Sequence, residues 1–374
     1  MDACIPDGRV TLPAQGLTLP GGSANPMKIS ASIYSRNGQG LEDTVRALDA
    51  HQVDFIHVDC HNDHEVFQDI ARMRKVSTTP IDLHLITPDP SPFFEPIRQH
   101  QVNLVCVQQE NLEHALSVPD DLVSRFGLAV TADTPLAVFE PLRNRLRFAL
   151  FMATTPGRSG GRFDRVNFRR IRRFKRMFPE LRIHVDGGVD EEVSFILRNM
   201  GVYAAVSGSF LLDERLDMGP LGARLMRLMH GGHTTGQTTE DESGHFRVRD
   251  FMMERDEIPV LSGPDPGLPA VLQSIEAHNM GFTLLEDPEQ RLLGLISNAD
   301  VRRGLLKHLD DLNRVAVRDV INRQPLFARE DDTVHALLRR IKSCPFPVNY
   351  LPVLDQENRV TGALQFHNLI KGES

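Results

Sequence analysis

The chain has 374 residues, of which 41% are hydrophobic and 25% charged, a composition typical of folded globular proteins. Its formal net charge of −8 argues against a general nucleic-acid or membrane-surface function. The four cysteines are scattered without CxxC spacing, no apolar run could span a bilayer, and the N-terminus lacks the basic and apolar stretches of a signal peptide. We therefore expect a cytoplasmic protein of two or three domains, with no disulfide framework and neither nucleic acid nor membrane as a partner.

Four segments follow one another along the chain. Residues 1–27 are rich in Gly and Pro and predict a flexible N-terminal arm. Residues 28–229 alternate β-rich runs with amphipathic helical stretches. Residues 230–245 contain Gly, Thr and acidic residues but almost nothing apolar, which predicts an exposed linker. Residues 246–374 hold a weak internal repeat.

The alternation in the second segment occurs eight times. The β-rich runs are Lys28–Tyr34, Asp54–Asp59, Ile81–Ile86, Asn103–Val107, Phe126–Thr131, Arg147–Met152, Arg182–Asp186 and Tyr203–Ser207. Helix candidates between them include Leu41–His51, His64–Arg74 and Val166–Met177. Eight βα units in about 200 residues predict an α/β fold, the (β/α)8 TIM barrel. The alternative, a doubly wound open sheet, usually has fewer strands and a Gly-rich first turn, which Ser35–Gly40 does not supply.

Two histidines and two aspartates fall at the ends of predicted strands. His57 and Asp59 are two residues apart in the second run, so both side chains lie on one face. His84 in the third run and Asp186 in the seventh reach the same end of the barrel, where TIM-barrel active sites lie. Each residue alone would more often be a hydrogen-bonded polar group. Together they predict a site for one divalent metal, with Zn²⁺, Fe²⁺ or Mn²⁺ all compatible.

Six motifs occur in the order and spacing of ribulose-phosphate 3-epimerases, and residues 28–215 resemble that family. The motifs are Ser30–Ile33, Ile56–Asp59, Asp82–Leu85, Thr155–Gly157, Val185–Val189 and Ser207–Ser209. The resemblance implies that the metal ligands are His57, Asp59, His84 and Asp186, and that the two aspartates are the acid/base pair. It also implies that Ser32 contacts the substrate near its reacting carbons, and that its phosphate is bound by Gly188, Gly208 and Ser209.

The chemistry of epimerisation suits such a set. Inverting a carbon next to a carbonyl requires that a proton be removed and returned from the other side, which two carboxylates on opposite faces can do. A metal stabilises the negative charge that develops. Turns after the seventh and eighth strands hold phosphate in many barrels. The implied activity is a metal-dependent epimerisation of a ketose phosphate, either ribulose 5-phosphate/xylulose 5-phosphate or a related phosphosugar.

The sequence departs from the epimerase pattern around this core. His61–Asp63 replaces Met-Asp-Gly, Gln108 stands where the family has a histidine, Thr131-Ala132 replaces Asn-Pro, and Pro156–Gly160 replaces Pro-Gly-Phe-Gly-Gly. Arg158 and Arg162 could bring positive charge over the mouth, although solvated loop arginines are the alternative. We hypothesise altered specificity, with Arg158 contacting an extra anionic group on the substrate.

The segment Arg169–Arg176 is strongly basic. Its position in the sixth βα unit predicts the solvated face of a barrel helix. A nucleic-acid patch is the alternative, which the acidic chain as a whole disfavours.

The C-terminal segment contains two similar stretches. Each begins with Val-Arg-Asp, at Val248–Asp250 and Val317–Asp319, and continues with a helix and two strands. The predicted strands are Phe282–Glu286 and Leu292–Ile296 in the first copy, and Tyr350–Asp355 and Val360–Leu364 in the second. Such a repeat indicates two modules packed together, because neither covers its own sheet alone.

These two modules resemble CBS domains through Gly294–Asp300 and Gly362–Asn368. The pair is most similar to that of arabinose-5-phosphate isomerases, in Asp256–Pro259, Met280–Thr283 and Asp300–Arg303. The resemblance implies a nucleotide site in the first module, with Ser297 on a phosphate and Asp300 on ribose hydroxyls. The second module has Gln365 and Asn368 at these positions, so we expect one site.

The resemblance to this pair suggests a nucleotide or CMP-sugar effector and a role in sugar-nucleotide or cell-surface sugar biosynthesis. Because CBS modules commonly pair between chains, we expect a homo-oligomer. A purely structural dimerisation domain is the alternative. For the whole chain, two other functions compete with the regulated epimerase: a barrel isomerase or lyase of another phosphosugar, and a catalytically silent ligand-sensing regulatory protein.

Overall fold

A computed structural model describes residues 27–37, 40–156, 161–215, 219–230, 246–345 and 348–366. The predicted N-terminal arm up to residue 26, the predicted linker from residue 231, Arg158 and Asn368 lie outside the described residues.

Eight parallel strands close into a barrel, in which each strand pairs with its neighbours in chain order and the eighth returns to the first. They are β1 (Lys28–Ser32), β2 (Phe55–Cys60), β3 (Ile81–Leu85), β4 (Leu104–Gln108), β5 (Phe126–Val130), β6 (Phe148–Met152), β7 (Arg182–Asp186) and β8 (Ala204–Ser207). The predicted TIM barrel is confirmed.

Helices cover most of the connections between these strands. They are α1 (Leu41–Ala50), α2 (Val66–Arg74), α3 (Phe94–Gln99), α4 (Val166–Met177), α5 (Glu191–Asn199), α6 (Ser209–Leu212) and α7 (Leu221–His230). The prediction of a helix in every unit is wrong after β4 and β5, where the chain forms only short 3-10 turns. Pro119, Pro135 and Pro141 lie in these connections, and proline removes a backbone donor that a continuing α-helix needs.

The inside of the barrel is packed. A small cluster of Cys106, Ala129, Phe148, Leu150 and Met152 is buried there. Side chains two residues apart along a strand share a face, so Cys106 and Gln108 point the same way on β4. The apolar cluster therefore fills one side of the barrel interior, beside the buried polar residues.

The C-terminal part contains two sheets. Its elements are α8 (Val248–Phe251), β9 (Met253–Glu254), β10 (Val260–Ser262), α9 (Leu268–His278), β11 (Phe282–Glu286), β12 (Leu292–Ser297), α10 (Asn298–Lys307), α11 (Val317–Val320), β13 (Ala328–Arg329), α12 (Val334–Lys342), β14 (Tyr350–Leu354) and β15 (Val360–Gln365). The sheet orders are β10-β11-β12 and β13-β14-β15-β9. Each contains a parallel pair followed by an antiparallel pair, which confirms the internal repeat.

The C-terminal modules pack directly on the barrel. The core of the second module is continuous with the barrel core through residues such as Phe168 and Phe251. The prediction that Arg169–Arg176 is a solvated face is wrong for one side of α4, because Arg172 is mostly buried and pairs with Glu257. Among the helices that the structure describes, none is both long and apolar enough to cross a bilayer.

Candidate metal centre

The four predicted ligands converge at the mouth of the barrel. His57 and Asp59 lie on β2, His84 on β3 and Asp186 at the end of β7. Parallel pairing sets their level, because Asp59 is the register partner of His84. One ligand atom from each of the four lies within 4.8 Å of all the others. The strand ends thus bring together two imidazoles and two carboxylates.

His57 presents a free nitrogen to two carboxylates. Its Nδ1 lies 3.0 Å from Asp82 Oδ2, which also accepts a 2.9 Å hydrogen bond from Ser30 Oγ. Because a carboxylate accepts, His57 donates through Nδ1. The Nε2 atom is buried without a hydrogen-bond partner, 3.5 Å from Asp59 Oδ1 and 3.7 Å from Asp186 Oδ2.

The side-chain amide of Gln108 orients the ring of His84, so that its other nitrogen also faces the metal ligands. Gln108 donates from Nε2 to the Glu110 carboxylate, which fixes its Oε1 toward His84 Nε2 at 2.7 Å. Glu110 is itself held by the backbone N–H of Thr131 at 2.8 Å. His84 therefore donates through Nε2, and its Nδ1 faces Asp59 Oδ1 at 3.1 Å.

This arrangement fits a divalent cation. His57 Nε2 and His84 Nδ1 face the carboxylates of Asp59 and Asp186, and a divalent cation bound between these four groups would accept a lone pair from each. Two nitrogens and two oxygens are a suitable set for Zn²⁺, Fe²⁺ or Mn²⁺. Carboxylate and carbonyl partners that fix the other ring nitrogen are typical of metal-binding histidines.

Electrostatics separate the two aspartates. Burial raises the pKa of Asp59, but the neighbouring imidazoles of His57 and His84 outweigh burial and hold that pKa far below its usual value. Burial raises the pKa of Asp186 to about 6. Burial lowers the pKa of His57, but Asp82 and Asp59 outweigh this and hold it well above its usual value. Asp59 thus favours the ionised form, whereas Asp186 binds a proton more readily.

The residues predicted to bind substrate lie around the same mouth. Ser32 ends β1, and its Oγ accepts a long hydrogen bond of 3.4 Å from Ser35. Gly208, at the end of β8, packs against both serines, since a Cβ there would lie 3.4 Å from Ser32 Cβ. Ser209 begins α6 directly after it.

Gly188 lies in the turn after β7. Gly187 and Gly188 have φ of +109° and +64°, the left-handed region that favours glycine. A Cβ on Gly188 would lie 2.8 Å from Phe163 Cα, so the turn packs closely on the β6–α4 connection. In that connection Arg162 is exposed, and Arg158 lies outside the described residues.

A cleft of about 520 Å³ opens beside Asp59. It is lined by Tyr34 and by His61 and Asp63, two of the residues that differ from the epimerase pattern. The altered segment after β2 therefore shapes the space next to Asp59.

The first C-terminal module brings Ser297 and Asp300 together at the start of α10. Ser297 Oγ donates to Asp300 Oδ2 at 2.5 Å, and the Ser297 backbone N–H donates to the same oxygen at 2.9 Å. Asp300 also pairs with Arg303. The pair forms a helix capping box, a motif that the Ser-x-x-Asp spacing itself encodes. In the second module, Gln365 donates to the Met280 carbonyl at 3.3 Å.

Two supporting residues lacked an assigned role in the sequence. Asp82 belongs to one of the motifs shared with the epimerases but was given no role of its own. Its position two residues before His84 places both side chains on the inward face of β3, which is the signal that could have found it. Gln108 was recognised as a replacement for histidine, and the structure shows that it orients His84.

Comparison with known proteins identifies both parts of the chain. The profile of the ribulose-phosphate 3 epimerase family matches residues 28–212, and that of the CBS domain matches residues 317–372. A ribulose-phosphate 3-epimerase of Bacillus subtilis is 25% identical over 202 residues, which are 50% of this chain and 93% of the relative. An uncharacterized protein of Chlamydia pneumoniae is 33% identical over 141 residues, 37% of this chain but only 42% of that protein.

A solved structure, CBSX2 in complex with AMP, is 22% identical and covers 34% of this chain and 94% of its own, with a TM-score of 0.28. Residues 28–212 match the ribulose-phosphate 3-epimerase family, and the second of the two similar C-terminal modules, residues 317–372, matches the CBS domain. The exact domain boundaries at 229 and 246 stay a prediction.

The role of Asp82 can be tested by Asp82→Asn. We expect metal affinity to fall about 10–100-fold, because the variant amide no longer fixes His57 as a carboxylate does. Titration of the metal-free protein against a chelator with known affinity measures this. Asp121→Asn, which removes an exposed carboxylate paired with Arg98, is the control and should bind metal like the wild type. Equal affinity in both variants would contradict the role.

Proposed function

We propose that the barrel is a metal-dependent epimerase of a ketose phosphate. The observation that carries this proposal is the site geometry: one ring nitrogen each of His57 and His84 and the carboxylates of Asp59 and Asp186 meet at the mouth of a barrel that matches the epimerase family. A catalytically silent protein would have no need for this set or for the buried partners that orient it.

The chain's own residues would act on the substrate from two sides. Asp59, which favours the ionised form, would remove the proton next to the substrate carbonyl. Asp186 would deliver a proton to the opposite face, and the roles reverse for the other epimer. A divalent cation held by the four ligands would stabilise the negative charge that develops on the substrate oxygens. Ser32 would contact the substrate near its reacting carbons.

The phosphate would bind at the turns after β7 and β8, through Gly188, Gly208 and Ser209. The left-handed turn at Gly188 lets the backbone approach a ligand without a side chain in the way. Ribulose 5-phosphate is the first candidate substrate.

The cleft beside Asp59 favours a second candidate, an isomerase or lyase of another phosphosugar. His61 and Asp63 line this cleft, where the family carries a different segment. A phosphosugar with additional polar atoms would fit there.

Solvent deuterium incorporation separates these possibilities. The purified protein is incubated in D₂O with pentulose and longer ketose phosphates, together with Mn²⁺, Fe²⁺ or Zn²⁺. We expect deuterium at the inverted carbon of one of them, only when metal is present. No exchange with any substrate, in a protein that binds no metal, would overturn the proposal. Mass spectrometry of the protein as purified identifies its metal.

We also propose that a nucleotide or nucleotide sugar binds the first CBS module at Ser297 and Asp300 and regulates the barrel. The two side chains lie at the point where β12 runs into α10. A bound nucleotide would replace their mutual hydrogen bond, with Ser297 on a phosphate and Asp300 on ribose hydroxyls.

Thermal unfolding tests this site with a matched control. AMP, ATP, CMP and a CMP-sugar are tested singly, and we expect one to raise Tm, by an amount that grows with its concentration. Asp300→Asn should abolish that rise. Asp319→Asn removes a similar carboxylate cap at α11, where Asp319 accepts from the Ala316 N–H at 2.9 Å, and this variant should retain the rise in Tm. A rise that survives Asp300→Asn would locate the ligand elsewhere.

A further inference from the structure

The C-terminal modules contact the barrel through one face of α4. Arginines at positions 165, 169, 172 and 176 follow one another every three or four residues, so they lie on a single helix face. Arg165 pairs with Asp250 at 3.1 Å and Arg169 with Glu254 at 3.3 Å. The basic helix therefore has an acidic partner within its own chain.

Glu257 is the centre of this interface. Its two carboxylate oxygens accept from Arg172 at 3.1 Å and from Arg176 at 2.9 Å, and its side chain is only 8% exposed. Arg172 also donates to the Phe251 carbonyl at 3.0 Å. A buried carboxylate held by two guanidinium groups fixes the position of α4, because moving either side would leave the charge unpaired.

Aromatic contacts extend this interface to the turn after β7. Phe163 stacks on Phe168 at 4.6 Å, and Phe246 meets both rings edge-on at 6.1 and 5.3 Å. Phe163 is the residue on which Gly188 packs.

A second contact reaches the same turn from its other side. The Phe246 backbone N–H donates to Glu192 at 3.1 Å. Glu192 lies in the first turn of α5, and Asp190, which caps this helix, is only two residues after Gly188. The turn thus lies between two elements that both contact the start of the C-terminal modules.

The interface also connects to the first module. Ile258, adjacent to Glu257, belongs to the same buried hydrophobic cluster as Phe282 and Leu284. Phe282 is the register partner of Ser297. A contiguous path therefore joins the proposed nucleotide site to α4.

We propose that this interface couples the CBS pair to the barrel by setting the position of the Gly187–Gly188 turn, and with it the affinity for the substrate phosphate. The inference rests on the proposed function, because it assigns that turn to the phosphate. The coupling acts on the binding of the substrate, so it should change KM rather than kcat.

Hydrogen–deuterium exchange of the full chain without substrate tests the coupling itself. In Glu257→Gln and Phe246→Ala we expect faster exchange in residues 161–168 and 186–190, and unchanged exchange in residues 60–66 on the other side of the mouth. The control is Asp331→Asn, which removes an exposed ion pair with Arg249 within the C-terminal part. If Glu257→Gln does not fold, Arg176→Gln is used instead. It removes one of the two arginines that pair with Glu257, and the Arg176 side chain is 57% exposed, so its loss disturbs the core less.

The kinetic readout distinguishes the two proposals. Glu257→Gln should raise KM for the phosphosugar about tenfold, within the range typical of coupled sites, with kcat nearly unchanged. Faster exchange in residues 161–168 without any change in residues 186–190 would overturn the coupling. A wild-type protein inactive on every ketose phosphate would overturn the proposed function but leave the exchange result standing.

Discussion

Asp186→Asn is expected to lower the rate of epimerisation about 10²–10⁴-fold, because an amide can neither give nor take the proton on its face of the substrate. Asp59 would still serve the opposite face. One epimer should therefore continue to exchange its proton with D₂O without being inverted. Asp59→Asn should show the mirror-image result, with exchange retained only in the other epimer. Mass spectrometry and NMR of each epimer after incubation in D₂O measure both processes.

Both aspartates are also proposed metal ligands, so metal content must be measured in each variant. Excess metal is added until the variant is saturated, and the rates are compared at saturation. Asp82→Asn is the matched comparison: it affects metal affinity through His57 but should epimerise once loaded. Wild-type epimerisation by metal-loaded Asp186→Asn would exclude the two-aspartate mechanism.

The barrel could be predicted from the sequence because its signals are local. Each β-rich run is followed by a polar turn, and the strands differ from the predicted runs by only one or two residues at their ends. The absence of helices after β4 and β5 had a local signal too, Pro119 in the first connection and Pro135 and Pro141 in the second, but the regular alternation of the sequence outweighed it in the prediction.

The site could be predicted only in part. His57 and Asp59 share a face by strand period, so their convergence with His84 and Asp186 follows from the barrel itself. The tautomers of the histidines do not follow, because they depend on Asp82 and Gln108, which reach their rings across neighbouring strands. The alternation along a strand predicts which face a side chain lies on, but not which residue of the neighbouring strand forms a hydrogen bond with it.

The interface between barrel and CBS pair could not be predicted. Arg172 and Glu257 are separated by a linker and by many residues, and nothing in either segment indicates the other. The arginine-rich helix has the composition of a solvated surface, yet tertiary contacts bury one of its faces. Pairing between distant segments is a property of the folded arrangement rather than of local pattern.

Gly188→Ala is expected to have the second large effect, on substrate binding. A Cβ at this position would lie 2.8 Å from Phe163 Cα and equally close to the Arg162 carbonyl carbon, and backbone atoms cannot rotate away as a side chain can. The φ of +64° adds strain for any residue with a Cβ. The turn must therefore move, and a displacement of about 1 Å can cost about 100-fold in kcat/KM.

Gly263→Ala separates the clash from the conformational strain. Gly263 has φ +98° and no atom within 4 Å of its Cβ position, and it lies in the C-terminal part, away from the mouth. Its substitution should lower the free energy of unfolding by about 1–3 kcal/mol through backbone strain and leave KM unchanged. Gly188→Ala should lower stability by a similar or larger amount and in addition raise KM. If both variants lose stability but neither changes KM, the turn does not bind the phosphate, because its displacement would then have no consequence for the substrate.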